Sequence, residues 1–293
     1  MTTDRFTTHF ALSGRSTKLD PRVNAARGDI ADIALAGTLF APHYARPVLR
    51  RCAAPSTPMR AAGAVDAPLV SQLLHGEAFA VLDISGGWAW GYSAHDHYVG
   101  YVAADALGRD ERFTHRVNAP AALVYATPDL KSPAINRFTL GALVEARGEG
   151  DWLMVAGGHM FAAQLDALGA VRSDPAALAE ALVGEPYLWG GRGDGGFDCS
   201  GLVQLVFGLS GHALPRDSDQ QCAAAGAPIP DGEALRRGDL VFFPGHVGIM
   251  VDGERILHAT AFAMSVIVEP LADLISRTAA EHEVSVLARR RIA

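Results

Sequence analysis

The chain has 293 residues, of which 49% are hydrophobic, and its formal net charge is −7 at pH 7 with an isoelectric point near 5.9. This apolar content is enough for two or three packed domains and excludes a largely disordered chain. The acidic balance, without a dense run of lysine and arginine, excludes the charge pattern of a nucleic-acid-binding protein.

The sequence predicts a protein of the reducing cytoplasm that has no membrane partner. The N-terminal stretch has no basic segment followed by the apolar core of a secretory signal, and no apolar run is long enough to span a bilayer. The three cysteines, Cys52, Cys199 and Cys222, are odd in number and widely spaced. This spacing is typical of neither a disulfide framework nor a zinc site, and it leaves Cys222 without an assigned role.

Residues 1–45 predict an N-terminal arm. They contain many turn formers and one apolar stretch with helical spacing, DIADIALAGTLFA (29–41), which we expect to pack as a short helix on a larger body.

Two similar β-rich stretches follow the arm. The first contains LHGEAFAVLDISGGWAWGYS and the second LGALVEARGEGDWLMVAGG, so that Gly76 and Trp88 of one correspond to Gly141 and Trp152 of the other. Short β-prone runs separated by glycine turns, repeated about every 60 residues, predict two small β-barrels in tandem. We assign these barrels to residues 46–110 and 111–170.

Residues 171–293 predict an α+β domain. A helix begins after Asp174, a capping residue followed by Pro175, and a second helix begins near Cys199. The β-prone runs DLVFF, HVGIMV, RILHA and SVIVEP come next, which indicates helices packed on an antiparallel sheet.

Cys199 stands at the start of its helix, in the stretch FDCSGLVQLVF. Backbone N–H groups and the helix dipole at such a position favour a thiolate, and therefore a nucleophile. The alternative interpretation is a small, buried apolar residue.

His246 and His258 supply the base that such a nucleophile needs, because they lie in consecutive β runs joined by VDGER. They are directly opposed if the loop is Val251 to Gly253, which predicts a three-residue loop with Gly253 in the left-handed conformation. His258 then fixes the tautomer of His246. His95 and His97 have the spacing of metal ligands, but without a third ligand we interpret them as a solvated loop and predict no metal site.

Four motifs follow one another in the C-terminal domain: YLWGGRGDGGFDCSGLV (187–203), LPRDSDQQ (214–221), RRGDLVFFPGHVGIMV (236–251) and ILHAT (256–260). With these motifs the domain resembles the NlpC/P60 family of papain-like cysteine peptidases, and the tandem barrels resemble bacterial SH3 domains. The resemblance implies that Cys199 is the nucleophile, His246 the base and His258 the third polar residue, without a cofactor. It also implies that the Tyr187 hydroxyl helps the Cys199 backbone amide to hold the oxyanion.

The family resemblance also implies a small peptide substrate and the residues that contact it. Members cleave the amide between γ-D-glutamate and a diamino acid, and those that recycle cell-wall peptides require a free N-terminal L-alanine. Asp198 is suited to bind that amine, or alternatively to cap the Cys199 helix. Ser200 and Ser218 match positions that contact the γ-D-glutamyl group. Arg216 balances the α-carboxylate of the glutamate, or forms a buried ion pair with Asp217 or Asp239.

Two residues of the first barrel are candidates for closing the far wall around the amine. These are Glu77 and Tyr98, with Tyr92 or Tyr101 as alternatives to the tyrosine, and with a surface glutamate and a core tyrosine as the structural interpretations. In this arrangement an SH3 domain covers a small pocket and selects free peptide over polymeric wall.

We therefore expect a cytoplasmic γ-D-glutamyl–diamino acid endopeptidase of peptidoglycan recycling. One alternative is a cell-wall hydrolase that its SH3 domains direct to polymeric peptidoglycan. The other is a papain-like amidase or acyltransferase that acts on another substrate. The sequence leaves the preferred diamino acid and the oligomeric state open.

Overall fold

The computed structural model describes residues 18–109 and 111–292. Residues 1–17 of the predicted arm lie outside this range. The rest of the arm contains two short parallel strands, β1 (Ala31–Asp32) and β2 (Tyr44–Ala45). The predicted helix over 29–41 is wrong, because Asp32 pairs as a strand and then caps only a single 3₁₀ turn, Ile33–Leu35, by accepting the Ala34 N–H.

The first β unit is a seven-stranded antiparallel sheet in the order β5-β4-β8-β7-β6-β3-β9. Its core includes Met59, Leu73 and Phe79, which are fully buried. The strands are β3 (Val48–Cys52), β4 (Ser56–Arg60), β5 (Leu69–Leu74), β6 (Ala78–Ser85), β7 (Trp88–Ser93), β8 (Val99–Ala103) and β9 (Leu107–Gly108), with a 3₁₀ turn at Ala104–Ala106.

The second β unit has its own core around Val124, Phe138 and Met160. It consists of a five-stranded sheet, β12-β11-β16-β15-β14, and a three-stranded sheet, β13-β10-β17. The strands are β10 (His115–Val117), β11 (Ala121–Tyr125), β12 (Ala134–Thr139), β13 (Leu143–Val144), β14 (Ala146–Arg147), β15 (Trp152–Val155), β16 (Gly158–Phe161) and β17 (Leu165–Ala167), with a 3₁₀ turn at Ala162–Gln164.

The two β units share one pattern of strand pairing. In the first, β3 pairs with β6 and β9, β4 with β5 and β8, and β7 with β6 and β8. In the second, β10 pairs with β13 and β17, β11 with β12 and β16, and β15 with β14 and β16. Trp88 and Trp152 each begin the equivalent strand, as the sequence repeat indicates. The predicted count of two SH3 barrels nevertheless stays a prediction.

The C-terminal unit has a six-stranded antiparallel sheet in the order β20-β25-β21-β22-β23-β24. One face packs against α2, and the other against α4 through residues such as Met250 and Leu274. The elements are α1 (Pro175–Glu180), β18 (Arg192–Gly193), β19 (Gly196–Phe197), α2 (Cys199–Leu209), α3 (Ser218–Ala224), β20 (Ala227–Pro228), β21 (Leu240–Phe243), β22 (His246–Met250), β23 (Arg255–Thr260), β24 (Ser265–Pro270), α4 (Leu271–Ala279) and β25 (Ala288–Arg291).

Helix α2 lies at the centre of the protein. Ten of its eleven residues are buried, so it is enclosed on all sides rather than amphipathic. Its apolar side packs on the sheet, and Leu205 approaches the second β unit near Gly141. In the described part of the chain, no helix is long and apolar enough to cross a membrane.

The hairpin between β22 and β23 differs from the prediction in register. Met250 pairs with Ile256, and the Val251 N–H donates to the Arg255 carbonyl, so the three-residue loop is Asp252–Glu254. Asp252 accepts the backbone N–H groups of Glu254 and Arg255 and thereby forms the turn. Gly253 is therefore not left-handed, contrary to the prediction.

Candidate active site

The start of α2 fixes the position of Cys199. Asp198 caps the helix by accepting the Gly201 N–H at 2.7 Å, and its own N–H donates to the Gly191 carbonyl at 3.1 Å. A Cβ atom on Gly201 would lie 2.2 Å from that carbonyl oxygen. Glycine is therefore required at this position of the DCSG stretch, because any side chain would push the helix away from the loop that precedes it.

The Cys199 side chain is buried, with 8% of the residue exposed. The backbone N–H groups of Val247 and Ser200 lie near the sulfur and act to lower the pKa of the thiol, which places the sulfur at the beginning of β22, the strand that starts at His246. Burial raises the pKa of the thiol to about 12, and the nearby Asp198 carboxylate adds to this effect. Burial therefore outweighs the acidifying effect of the helix start that the sequence predicts.

A row of hydrogen-bonded side chains begins at His246, the first residue of β22. His246 Nε2 lies 2.6 Å from His258 Nδ1, and His258 Nε2 lies 2.8 Å from Glu269 Oε1. Arg277 donates to the same carboxylate oxygen at 2.5 Å. His246 and His258 are diagonal neighbours rather than directly opposed, but a register shift of two residues keeps both on one face.

The carboxylate at the end of the row determines the tautomers of both histidines. Arg277 and His258 hold the pKa of Glu269 below its ordinary value despite the opposing effect of burial, so Glu269 accepts the proton on His258 Nε2. His258 Nδ1 is then an acceptor for the His246 Nε2–H group. His246 Nδ1 is left without a proton, as a general base beside a thiol requires.

Both histidines are held in the neutral form. Burial lowers the pKa of His246 to about 3, and the neighbouring His258 contributes to the shift. Burial also lowers the pKa of His258, although Glu269 acts in the opposite direction. With the raised pKa of Cys199, this favours a neutral thiol–imidazole pair at rest over a preformed ion pair.

Tyr187 lies beside Cys199 because its strand-like segment runs along Phe197 in a parallel bridge. Burial raises the pKa of the Tyr187 hydroxyl to about 12, with the thiol of Cys199 and the carboxylate of Asp198 as the next causes. The hydroxyl therefore remains protonated and available as a hydrogen-bond donor near the sulfur.

Asp198 and Arg216 form a buried ion pair behind the nucleophile. The two guanidinium NH groups donate to the carboxylate at 2.9 and 2.6 Å, and one of them also reaches Ser200 Oγ at 3.0 Å. Arg216 Nε donates to Ser71 of the first β unit. The predicted alternatives of Asp217 and Asp239 as partners of Arg216 are wrong, because Asp198 takes this role.

The two candidates from the first β unit lie in different surroundings. Glu77 pairs with Arg192 at 2.9 Å, and this contact neutralises its carboxylate. Tyr98 is a core residue whose hydroxyl donates to Asp217 at 2.9 Å, directly before Ser218 at the start of α3.

Asp217 belongs to an acidic cluster that the sequence analysis did not assign. Arg22 forms ion pairs with Asp20, Asp217 and Asp219, so that three carboxylates share one guanidinium. The cluster therefore has a net negative charge.

Sequence reasoning missed Glu269 and Arg277. Glu269 is the only charged residue in the stretch SVIVEP, and a charge in a strand whose neighbours are apolar was the available signal. The histidines of AHDHY make separate contacts: His95 Nδ1 lies 2.7 Å from Ser93 Oγ, and His97 stacks on Tyr92.

Comparison with known proteins gives two family matches. Residues 184–281 match the profile of the NlpC/P60 family, and residues 59–107 match the bacterial dipeptidyl-peptidase SH3 domain. The chain carries an NlpC/P60 domain. This confirms the predicted resemblance, and the SH3 match lies within the first β unit.

Two curated relatives of this chain are named gamma-D-glutamyl-L-lysine dipeptidyl-peptidase. The Bacillus subtilis protein is 31% identical over 175 residues, which cover 54% of this chain and 57% of the relative. The Bacillus cereus protein is 26% identical over 237 residues, which cover 69% of this chain and 71% of the relative.

A crystal structure of an NlpC/P60 family protein from Bacillus cereus has the same fold. It superposes with a TM-score of 0.70 at 18% identity, over 83% of this chain and 99% of that one.

Proposed function

We propose that this protein is a cysteine endopeptidase that hydrolyses the amide bond between γ-D-glutamate and a diamino acid in murein peptides. The observation that carries the proposal is that Cys199, at the start of α2, lies by the strand that begins the hydrogen-bonded row His246–His258–Glu269, within the NlpC/P60 domain. The names of the two Bacillus relatives supply the class of bond and favour lysine as one diamino acid.

In the proposed reaction, His246 Nδ1 takes the Cys199 proton while the sulfur attacks the γ-carbonyl carbon. The tetrahedral oxyanion accepts hydrogen bonds from the Tyr187 hydroxyl and the Cys199 backbone amide. His246 then gives the proton to the amine of the departing diamino acid, and the C–N bond breaks. Water hydrolyses the thioester by the same sequence of proton transfers, which regenerates the thiol.

We assign the substrate contacts to residues near the nucleophile. Ser200 and Ser218 contact the γ-D-glutamyl group, and Arg216 faces its α-carboxylate while it keeps Asp198 in place. Because Arg216 neutralises Asp198, the free amine of L-alanine is drawn chiefly to the acidic cluster at Asp217, which Tyr98 orients. Glu77, neutralised by Arg192, has at most an indirect part in binding the amine.

Both β units, at residues 46–110 and 111–170, are proposed to be SH3 domains, since they share one pattern of strand pairing. The first covers the NlpC/P60 domain through Ser71, Gln72 and Glu77, which contact Arg216 and Arg192. A cover of this kind favours small free peptides, and therefore a role in cytoplasmic peptidoglycan recycling.

The test is to incubate the protein with L-Ala-γ-D-Glu-L-Lys, with the meso-diaminopimelate analogue and with their N-acetylated forms. We expect release of the diamino acid from the free-amine peptides and none by the Cys199→Ala variant. Equal cleavage of the acetylated peptides would contradict recognition of the amine.

The remaining outcomes distinguish the alternative functions. Cleavage of intact peptidoglycan in preference to free peptide would indicate a wall hydrolase. Failure to cut any of these substrates, with activity on another amide or ester, would indicate an amidase or acyltransferase.

A further inference from the structure

A cavity lies at the C-terminal end of α2, away from Cys199. Its volume is about 470 Å³, and its wall includes Glu77 and His95 of the first β unit, Leu143 of the second, and Gln204 and Leu209 of α2. None of the residues in the row from Cys199 to Glu269 lines it. It is therefore a site separate from the proposed reaction centre.

The wall of this cavity is positively charged, in a protein whose net charge is −7. Three arginines line it, Arg51, Arg116 and Arg192, against one lining carboxylate, Glu77, so that the lining arginines and glutamate together carry a formal charge of +2. Glu77 is already paired with Arg192. Within residues 18–109 and 111–292, the Arg116 guanidinium makes no hydrogen bond or ion pair, although it lies near Asp166, whose carboxylate is taken by Arg172 and Asn118.

Two side chains of the wall also have unmet hydrogen-bonding capacity. Arg192 and Gln204 are more than nine-tenths buried, and Arg192 Nε and Gln204 Oε1 have no partner among the described residues. The Gln204 amide is oriented by its Nε2 group, which donates to Asp96 and to the Leu214 carbonyl. Buried polar groups without partners are uncommon in native proteins, and a binding site is one reason for them.

The rest of the wall is apolar, with Leu143, Leu205, Leu209 and Leu214 beside the charged groups. A volume of a few hundred Å³ with convergent polar groups in an apolar wall is typical of small-molecule sites. The charge of +2 fits a ligand with two carboxylates, and the volume fits a chain of two or three residues.

We propose that this cavity binds a short acidic peptide, at a site distinct from the one that contains Cys199. The choice of peptide rests on the proposed function, because the reaction releases L-Ala-γ-D-Glu, which has two carboxylates and one amine. A ligand here contacts both β units and α2 at once, so its binding couples the arrangement of the three units to the helix that carries the nucleophile.

The test is calorimetric titration of the Cys199→Ala variant with L-Ala-γ-D-Glu and with its diamide, which lacks both carboxylates. We expect two binding events for the dipeptide, one of which the diamide does not show. Adding Arg116→Gln should weaken that event about tenfold or more, since a charge-assisted hydrogen bond is lost. Arg137→Gln, an exposed arginine of the same β unit outside the cavity, is the matched control.

A second variant tests the cavity without changing Arg116, in case the Arg116→Gln protein does not fold. Gly208 lines the cavity and has open space around it, so Gly208→Ala adds a methyl group to the cavity without a clash and should also weaken this event. The proposal is overturned if the dipeptide does not bind, if the diamide binds equally well, or if neither variant changes the titration. Absence of hydrolysis by the wild-type protein, together with the Arg116-dependent event, would instead refute the proposed function alone.

Discussion

At the scale of single residues, the chemistry depends on how protons are placed along one row of side chains. Cys199 and His258 are buried and His246 is half-buried, and this burial favours the neutral form of all three. A neutral resting pair requires the proton to move during attack. The row ends on the carboxylate of Glu269, which fixes the tautomers so that His246 Nδ1 is free to take the proton.

The lowered pKa of His246 predicts an unusual pH profile. The base is active when neutral, so activity is lost as the pH falls through its pKa in the folded protein. With that pKa at about 3, the acidic limb of kcat/KM should lie well below pH 6.5, the ordinary value for histidine. Initial rates on the lysine tripeptide between pH 4 and 9 measure it, with circular dichroism at each pH to confirm folding. An acidic limb at pH 6.5 or above would contradict the prediction.

Glu269→Gln is expected to lower kcat and to leave KM nearly unchanged. The glutamine amide can donate to His258 Nε2, which reverses the tautomers and puts a proton on His246 Nδ1. We expect a loss of at least about tenfold; the corresponding aspartate-to-asparagine change in a serine-protease triad costs about 10⁴-fold.

Glu254→Gln, on the exposed hairpin of the same sheet, is the control for this prediction and should retain full activity. A loss confined to KM, or equal losses in both variants, would show that Glu269 does not orient the row.

At the scale of elements, α2 performs two tasks at its two ends. Its first turn holds the nucleophile against β22, and its last turn lines the cavity between the units. Each end contains a glycine. Gly201, in the first turn, packs against the Gly191 carbonyl, whereas Gly208, in the last turn, faces the open space of the cavity.

Alanine at these two glycines should have opposite effects on stability. Gly201→Ala forces the helix from the Gly191 carbonyl and should lower the free energy of unfolding by about 1–3 kcal/mol or more. Gly208→Ala meets nothing within 4 Å and should raise it by up to about 1 kcal/mol, as helix propensity predicts. Urea unfolding measures both, and a stable Gly201→Ala protein would refute the contact.

The sequence predicted helix α2 and its nucleophile better than it predicted the contacts around them. Helical spacing, a capping aspartate and two histidines on paired strands locate Cys199, His246 and His258, because each signal is local. The hairpin register was wrong since Asp252, through its side chain, forms the turn one residue later than the glycine pattern indicates. The partner of Arg216 lies 18 residues away in sequence, and spacing alone gives no information about such a pair.

At the scale of the whole molecule, buried polar contacts join the units. Arg192 of the C-terminal unit donates to Gln72 and Glu77 of the first β unit, and Gln72 donates in turn to the Asp194 carbonyl. Since ion pairs in such positions are costly to break, these contacts make the three units interdependent in stability.

Glu77→Gln should therefore destabilise the whole protein. It leaves the buried Arg192 guanidinium without its counter-charge, and we expect the free energy of unfolding to fall by about 3–5 kcal/mol. Glu149→Gln, at an exposed position of the second β unit, is the control. If Glu77→Gln raises KM for the free-amine tripeptide with no change in thermal stability, Glu77 contacts substrate instead.

The glycines Gly76 and Gly141, which occupy matching positions in the two β units, also bear on how such a chain arises. Both have positive φ angles, yet a Cβ atom on Gly76 would first meet Leu143 of the second unit, whereas one on Gly141 would first meet Leu205 of helix α2. If the two units arose by duplication of one ancestral unit, each copy uses the same glycine turn to contact the part of the chain that follows it. A side chain at either turn would collide with that following part of the chain, so each copy requires glycine there.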